Sequence, residues 1–271
     1  MAKVVALDAG HGLNTAGKQT PDGVKEWTLN DKVRDKVVVL LKDYDVEFVY
    51  PDNDEGETDE GLTNRRNMYV NKKVDAAVSI HHNAYKGTWG KATGVEVFTD
   101  RQYTKADMEL AEAIYSRLPK YTGLKGRGIK QTNWTVIYQD KIPAVLTEGG
   151  FMDSTIDHPV ITSAAGQTGY AKAIAEGLID FLKLEKKTGT PEVYYRVQTG
   201  AFRKKEYAVA LFNKVKAAGF DPGMVLYKGL YKVQTGAYKK KANATNAAKK
   251  LQAAGFDTYI TTDSGVFVSA K

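Results

Sequence analysis

Short apolar runs alternate with helix-like segments along the first 187 residues of the chain. Unbroken apolar runs between turn residues are typical of buried strands, and apolar residues spaced three and four apart are typical of helices packed on a sheet. The runs predict six strands, at residues 4–7, 46–50, 76–80, 95–99, 135–138 and 144–147. This order predicts an α/β fold with a mostly parallel sheet flanked by helices.

Three helices are predicted between and after these strands. Thr28 and Thr104 are residues of the type that caps helix N-termini, and each precedes an apolar stripe of helical spacing. The first stripe is Leu29, Val33, Val37, Leu40 and Leu41, and the second is Met108, Ala111, Tyr115 and Leu118. A third helix, from about residue 168 to residue 184, closes the domain.

The C-terminal part contains an internal repeat with an offset of 36 residues. Tyr195-Arg-Val-Gln-Thr-Gly-Ala-Phe202 matches Tyr231-Lys-Val-Gln-Thr-Gly-Ala-Tyr238 at six of eight positions. Ala217-Ala-Gly-Phe-Asp221 recurs unchanged as Ala253-Ala-Gly-Phe-Asp257. Repetition at a fixed period indicates two copies of one supersecondary unit.

Each copy is predicted to form a strand, a helix and a second strand, and Gly219 and Gly255 are predicted to end the helices. The helices carry equivalent apolar stripes, namely Ala208, Leu211, Phe212 and Val215 in the first copy and Ala244, Ala247, Ala248 and Leu251 in the second. Two copies predict a small α+β domain of βαββαβ order, because neither copy can bury its helix alone. We expect a large domain at residues 1–185, a linker at 186–191 and the repeat domain at 192–271.

The net charge of +7 is concentrated in the tail, where residues 188–271 carry 14 Lys and Arg against 5 Asp and Glu. Basic charge attracts nucleic acid, anionic membrane and anionic cell-wall polymer alike. The charge therefore indicates an anionic partner without naming it.

The chain has no cysteine, which excludes disulfides and thiolate metal sites. Any zinc would be held by histidine and carboxylate. No apolar stretch approaches the length of about 18 residues that a membrane span requires, so no membrane insertion is expected. The N-terminal apolar run is too short for a signal peptide. We expect synthesis in the cytoplasm without a signal peptide.

Two histidines and one glutamate follow predicted strands. His11, His81 and Glu148 come after the strands at residues 4–7, 76–80 and 144–147. Ligands bind at the carboxyl ends of strands in open α/β sheets, so these residues are expected to converge on one site. A capping or surface role for the histidines, and a buried salt bridge for Glu148, are the competing interpretations.

Four ordered motifs in the first 185 residues resemble the zinc N-acetylmuramoyl-L-alanine amidases of bacterial autolysins and phage endolysins. They are Asp8-Ala-Gly-His-Gly12, Glu26 ahead of the first helix, Ser79-Ile-His-His-Asn-Ala84 and Leu146-Thr-Glu-Gly-Gly-Phe151. Leu62-Thr-Asn-Arg65 also resembles a helical motif of this family. Ala9 stands where the family usually has proline.

The resemblance implies that His11, Glu26 and His81 bind Zn²⁺ and that Glu148 is the catalytic carboxylate. Three such ligands leave a fourth position open for a water, whose pKa zinc lowers to about 7. The resemblance implies hydrolysis of the amide between N-acetylmuramic acid and L-alanine of peptidoglycan.

Residues around these four are expected to bind substrate or to lie at the surface. Asn83 and Arg65 are expected to contact substrate. His82 should point away from His81, because consecutive strand residues alternate, and is expected in the substrate groove or at the surface. His158 is expected in a turn without a special role.

The tail resembles SPOR peptidoglycan-binding repeats, whose strands carry a Tyr-x-Val-Gln-x-Gly-Ala-Phe pattern. Gln198, Phe202, Gln234 and Tyr238 are then expected to contact glycan, although aromatic residues of the repeat also suit its core. The expected partners are peptidoglycan and anionic cell-wall polymer. A βαββαβ sheet with aromatics also resembles RNA-binding modules, but their Gly-Phe-x-Phe signature is absent, so no nucleic acid is expected.

Two other functions compete with the amidase. A catalytically silent wall-binding protein would have a degenerate metal site. A zinc carboxypeptidase would need a cation for the substrate's terminal carboxylate, for which Arg65 and Arg127 are candidates. For a wall-directed enzyme, release is expected through a phage-induced membrane lesion, or by lysis of a mother cell. The compact two-module layout resembles that of phage endolysins, and this resemblance favours a phage endolysin.

Overall fold

The computed structural model describes residues 2–52, 56–138, 141–187, 193–263 and 265–269. The chain forms two compact units, Met1–Lys187 and Thr188–Lys271. Across the described residues, no helix has the length and apolar character needed to cross a membrane.

The first unit is built on a six-stranded sheet of order β2-β1-β3-β6-β4-β5. Its strands are β1 (Lys3–Ala9), β2 (Val46–Val49), β3 (Ala76–Asn83), β4 (Val95–Asp100), β5 (Gly126–Thr132) and β6 (Ala144–Phe151). Every neighbouring pair is parallel except β4 and β6. The predicted α/β fold with a mostly parallel sheet is confirmed.

Helices cover both faces of this sheet. They are α1 (Glu26–Leu41), α2 (Leu62–Asn71), α3 (Lys105–Tyr115), α4 (Leu118–Thr122), α5 (His158–Ile161) and α6 (Ala164–Leu182). α6 packs against α1, α3 and α4. On the other face, Tyr69 of α2 joins Val136 and Ile137 in a buried cluster with Ala77 and Leu146 of the sheet.

In the second half of this unit, one predicted strand is wrong and one observed strand was not predicted. The segment predicted as a strand at residues 135–138 contains a 3₁₀ helix, Thr135–Ile137, whose Val136 and Ile137 cover the sheet. The sequence missed β5, Gly126–Thr132, because it has one large apolar residue, Ile129, among glycines and polar residues. As an edge strand paired only with β4, it does not need an apolar run.

The helix predictions differ in their boundaries. α1 begins at Glu26, so Thr28 lies inside the helix and is not its cap, and Leu40 is 39% exposed. Thr104 caps α3 as predicted, in a reciprocal hydrogen-bonded arrangement with Asp107. α6 begins earlier than predicted, at Ala164, because the Ser163 side chain accepts a hydrogen bond from Gly166 N–H.

The second unit has the predicted βαββαβ order, and its sheet is antiparallel. Its elements are β7 (Tyr195–Phe202), α7 (Lys205–Ala217), β8 (Pro222–Tyr227), β9 (Leu230–Tyr238), α8 (Lys241–Ala253), β10 (Tyr259–Thr261) and the unpredicted β11 (Val266–Phe267). The strand order is β10-β7-β9-β8-β11. Val197 of the sheet packs with Val215, Ala244, Ala248 and Leu251 of the helices.

Gly219 and Gly255 follow the two helices with φ of 85° and 87°. This left-handed conformation favours glycine and ends a helix, as the repeat predicted. Most of the linker predicted at 186–191, residues 188–191, lies outside the described residues. Lys186 pairs with Tyr44 in an isolated bridge, and Lys187 N–H donates to the Asp43 carbonyl, so both belong to the first unit.

Candidate active site

Three potential metal ligands converge at the carboxyl ends of β1 and β3. His81 Nδ1 lies 3.1 Å from Glu26 Oε1, and His11 Nε2 lies 3.5 Å from Glu26 Oε2. One donor atom from each residue lies within 4.8 Å of the others. Within the described part of the chain, this is the one group of three or more His, Asp and Glu side chains arranged in this way.

The loop after β1 places His11 in an uncommon conformation. His11 has a φ of 66°, in the left-handed region that non-glycine residues rarely occupy. The Arg65 guanidinium donates to the carbonyls of His11, at 2.9 Å, and Ala9, at 3.0 Å, and also pairs with the Asp8 carboxylate. Arg65 therefore holds the backbone that presents His11.

Gly10 is required by the position of His81. A Cβ at residue 10 would lie 2.0 Å from His81 Cε1, so no larger residue fits beside this ring. The rings of His11 and His81 meet edge to face, with centroids 4.8 Å apart. The first glycine of the Gly-His-Gly sequence thus has a steric explanation.

Glu26 is the first residue of α1 and is buried. Its Oε1 accepts a hydrogen bond from the His82 backbone N–H, and its Oε2 has no hydrogen-bond partner among the described residues. A buried carboxylate oxygen without a partner is costly, which indicates that another group normally satisfies it.

The donor set fits zinc. Ligands at about 2.0–2.2 Å from a tetrahedral ion lie about 3.3–3.6 Å apart. The distances of 3.1 Å and 3.5 Å from Glu26 to His81 and His11 are close to this range. Burial lowers the pKa of His11 to about 4, so this imidazole is neutral at pH 7, as a metal ligand must be. Burial alone would raise the pKa of Glu26, but the hydrogen bond and charge of His81 hold it below its usual range.

Glu148 lies next to this group in the sheet. It pairs with His81 of β3 and with Glu96 of β4, so the three side chains form a row on one face. Burial raises the pKa of Glu148 well above its usual value, and the charges of Glu26 and Glu96 raise it further. A carboxyl group with a raised pKa is suited to accept and return a proton.

Glu96 belongs to none of the sequence motifs and was not predicted as a site residue. Its side chain is buried, accepts hydrogen bonds from Asn83 Nδ2 at 2.6 Å and Arg127 Nε at 2.8 Å, and pairs with Lys130. A single charged residue inside the apolar run of β4 was the available signal. Arg127 also lies over the Phe151 ring, 4.9 Å from its centroid.

Arg65 is not placed as a substrate-binding residue. Its side chain is 1% exposed and its guanidinium is occupied by Asp8, Asp59 and backbone carbonyls. The expectation that it contacts substrate, or a terminal carboxylate, is corrected by this burial. Its buried pairing with Asp8 gives it a positioning role.

The other two histidines are also placed differently from the expectation. His82 points away from His81, as alternation requires, but it is buried between Asn30 and Tyr170 and is not in a groove or at the surface. Burial lowers its pKa to about 4. His158 begins the short helix α5, with Nε2 3.3 Å from Asp22 and its ring against Trp89.

The four expected glycan contacts of the tail occupy different environments. Gln198 and Gln234 are cross-strand partners, and Gln234 is 4% exposed with no hydrogen-bond partner for its side-chain amide among the described residues. Tyr238 is half-buried against the core of the second unit. The Phe202 ring lies 6.4 Å from that of Tyr207.

Comparison with known proteins identifies the families of the two units. The family model for N-acetylmuramoyl-L-alanine amidase matches residues 5–180, and the model for the SPOR domain matches residues 191–262. The chain therefore belongs to the N-acetylmuramoyl-L-alanine amidase family and carries a SPOR domain.

Individual relatives cover different shares of the chain. An endolysin of Bacillus phage SPP1 is 33% identical over 192 residues, which are 70% of this chain and 69% of that protein. A sporulation-specific N-acetylmuramoyl-L-alanine amidase of Bacillus subtilis is 30% identical over 224 residues, 82% of this chain and 84% of that protein. The crystal structure of an N-acetylmuramoyl-L-alanine amidase from Clostridium difficile 630 superposes with a TM-score of 0.62 at 30% identity, covering 67% of this chain and 97% of that one.

Proposed function

We propose that this amidase hydrolyses the bond between N-acetylmuramic acid and the L-alanine of the stem peptide, with Zn²⁺ held by His11, Glu26 and His81. The observation that carries the proposal is the buried Glu26 carboxylate, whose free oxygen faces His11 while its other oxygen faces His81. Zinc binding is a general property of this family, and the donor set suits it.

Zinc would supply Lewis acidity, which activates water and polarises the scissile carbonyl. Glu148 would act as general base and then as general acid. It would take a proton from the attacking water and return it to the alanine nitrogen as the C–N bond breaks. The products are the muramic acid carboxylate and a free N-terminal alanine.

Glu96 supports Glu148 in this proposal. It holds Asn83, which lies two residues after His81 on the same face of β3, and it neutralises part of the charge of Arg127 and Lys130. Asn83 therefore stays our candidate for contact with the substrate beside the site. Arg127 and Lys130, whose side chains are 35% and 39% exposed, are the cations that remain accessible there.

We propose that the second unit binds the wall. The SPOR match supports peptidoglycan as its ligand, and its excess of basic residues supports attraction to anionic wall polymer. Gln198 and Gln234 support sugar recognition. The Oε1 atom of Gln198, and both Oε1 and Nε2 of Gln234, are buried without a hydrogen-bond partner among the described residues, and sugar hydroxyls can satisfy them. Phe202 and Tyr238 are the proposed aromatic contacts.

We propose that the enzyme acts on the bacterial cell wall after release from the cell that makes it, as a phage endolysin. A phage endolysin among the relatives supports this proposal. The sporulation-specific relative supports the second route, release by lysis of a mother cell. Activity of the protein added from outside to whole cells, compared with purified walls, would test the need for release.

Hydrolysis of purified peptidoglycan tests the reaction. The protein would be assayed as purified, after chelation and after zinc is restored, with the released N-termini identified. Zinc-dependent appearance of N-terminal alanine is expected. Free C-terminal amino acids would show a carboxypeptidase instead, and wall binding without any release would show a silent binding protein.

A further inference from the structure

The second repeat of the SPOR domain has a cleft between α8 and β9. Its volume is about 300 Å³, at the lower end of the range for small-ligand sites. It is lined by Thr235, Tyr238, Asn243, Asn246, Ala247 and Lys250. Phe220, which follows α7, forms another part of its wall.

The first repeat shows what fills the equivalent space. By the offset of 36 residues, Leu211 corresponds to Ala247 and Tyr207 corresponds to Asn243. Leu211 packs over Gly200, where its Cδ2 lies 2.5 Å from the position of an added Cβ, and the Tyr207 ring lies beside Phe202. In the second repeat, a methyl group and a short amide replace these two large side chains, and the cleft is the space that they leave.

A buried hydroxyl in the cleft has no partner. Thr235 is 8% exposed, and its Oγ1 has no hydrogen-bond partner among the described residues. Its counterpart in the first repeat, Thr199, donates from Oγ1 to the Val233 carbonyl at 3.3 Å. Because a buried polar group without a partner is costly, the cleft is suited to a ligand that supplies one.

We propose that this cleft binds one N-acetylated sugar of the glycan strand, as a subsite separate from the Gln198 and Gln234 pair. The rings of Tyr238 and Phe220 offer apolar surface to a sugar face. Asn243, Asn246 and Thr235 offer the donors and acceptors that hydroxyl and acetamido groups require, and Lys250 offers a further donor. The inference deepens the proposed wall-binding function and rests on it.

The test uses the full chain and the uncharged β-1,4-linked tetramer of N-acetylglucosamine. We expect amide resonances of Thr235, Asn243 and Asn246 to shift on titration. Replacing Ala247 with the residue of the first repeat, Ala247→Leu, should weaken calorimetric binding at least tenfold. The first repeat accommodates leucine at the equivalent position, so Ala247→Leu should keep the unfolding temperature of the unaltered chain. Asn243→Tyr fills the cleft independently and is a second variant for the same test.

The repeat also supplies a charge-matched control. Lys250 and Lys214 are equivalent and exposed, but only Lys250 lines this cleft. Lys250→Ala should weaken binding several-fold and Lys214→Ala should not. Equal losses in the two lysine variants, unchanged binding in Ala247→Leu and Asn243→Tyr, or resonance shifts confined to Gln198 and Gln234 would each overturn the proposal.

Sedimentation with purified peptidoglycan separates this proposal from the wall-binding function itself. If the unaltered chain does not sediment with the wall, the function proposed for the second unit fails. If the chain sediments but does not bind the tetramer, or if it sediments equally well with the cleft filled, the wall-binding function stands and the cleft proposal fails.

Discussion

At the scale of single residues, Glu148 and His81 are neighbours in the sheet with separate proposed roles. Glu148→Gln keeps the size of the side chain and removes its ability to take a proton. We expect this variant to retain zinc and to lose at least about 100-fold in hydrolysis, a typical contribution of general acid–base catalysis. Metal analysis and the peptidoglycan assay would be done on the same preparation.

His81→Ala is the comparison, because it removes a proposed ligand. This variant should lose both zinc and hydrolysis. Full activity in Glu148→Gln would remove Glu148 from its assigned role, and full zinc content in His81→Ala would remove His81 from the ligand set.

Arg65 was expected to contact substrate, but its burial beside Asp8 gives it a positioning role. Removing it would leave the buried Asp8 carboxylate without its cation and the His11 carbonyl without a donor. Breaking a buried ion pair costs about 3–5 kcal/mol, so Arg65→Ala should lower the free energy of unfolding by about that amount. Urea unfolding would measure it.

Arg66 on the same helix is the matched control. It donates to the Tyr138 carbonyl in an exposed hydrogen bond, so Arg66→Ala should cost at most about 1 kcal/mol. Similar losses in the two variants would contradict the role assigned to Arg65.

At the scale of elements, the start of α3 is joined to the start of β6. Asp107 accepts hydrogen bonds from Thr104 through one oxygen and from the Ala144 backbone N–H through the other. Thr104→Ala removes the cap alone and should cost about 1 kcal/mol. Asp107→Ala should cost about 1–3 kcal/mol more, because it also leaves a buried N–H unpaired.

Urea unfolding of both variants tests this connection. Asp107 also bonds to β6, outside its own helix. Asp107→Ala should therefore reduce hydrogen-exchange protection most at the Ala144 amide and least at the amides within α3. Equal free energies of unfolding for the two variants would show that the contact with β6 contributes nothing.

At the scale of the whole molecule, the two units carry charge of opposite sign. Residues 188–271 have 14 basic and 5 acidic residues, whereas the remainder has 25 basic and 27 acidic ones. Deleting residues 188–271 should preserve zinc binding by the first unit and weaken sedimentation with cell walls. The loss should be greater at about 0.1 M salt than at about 1 M, where screening shortens the Debye length from about 10 Å to about 3 Å.

A loss of binding that does not depend on salt would assign the attraction to sugar recognition. Unchanged sedimentation of the truncated chain would contradict the wall-binding role of the second unit.

The sequence by itself determined the features that repeat or that lie close together along the chain. The apolar runs predicted five of the six strands of the first unit, and the offset of 36 residues predicted the second unit. Thr104 and the glycines that end the repeat helices were also identified, because caps and helix ends depend on local backbone geometry. The convergence of His11, His81 and Glu148 was predicted because each residue follows a strand, and ligands bind at the carboxyl ends of strands in such sheets.

Tertiary structure decided what depends on contacts between distant segments. β5 and the 3₁₀ helix Thr135–Ile137 were mispredicted because their places at a sheet edge and over a sheet face determine which residues are buried. Arg65, His82 and Glu96 are polar residues whose roles depend on partners far along the chain. A sequence pattern shows that such a side chain is polar, but only the fold shows whether its charge is paired in the interior or faces a ligand.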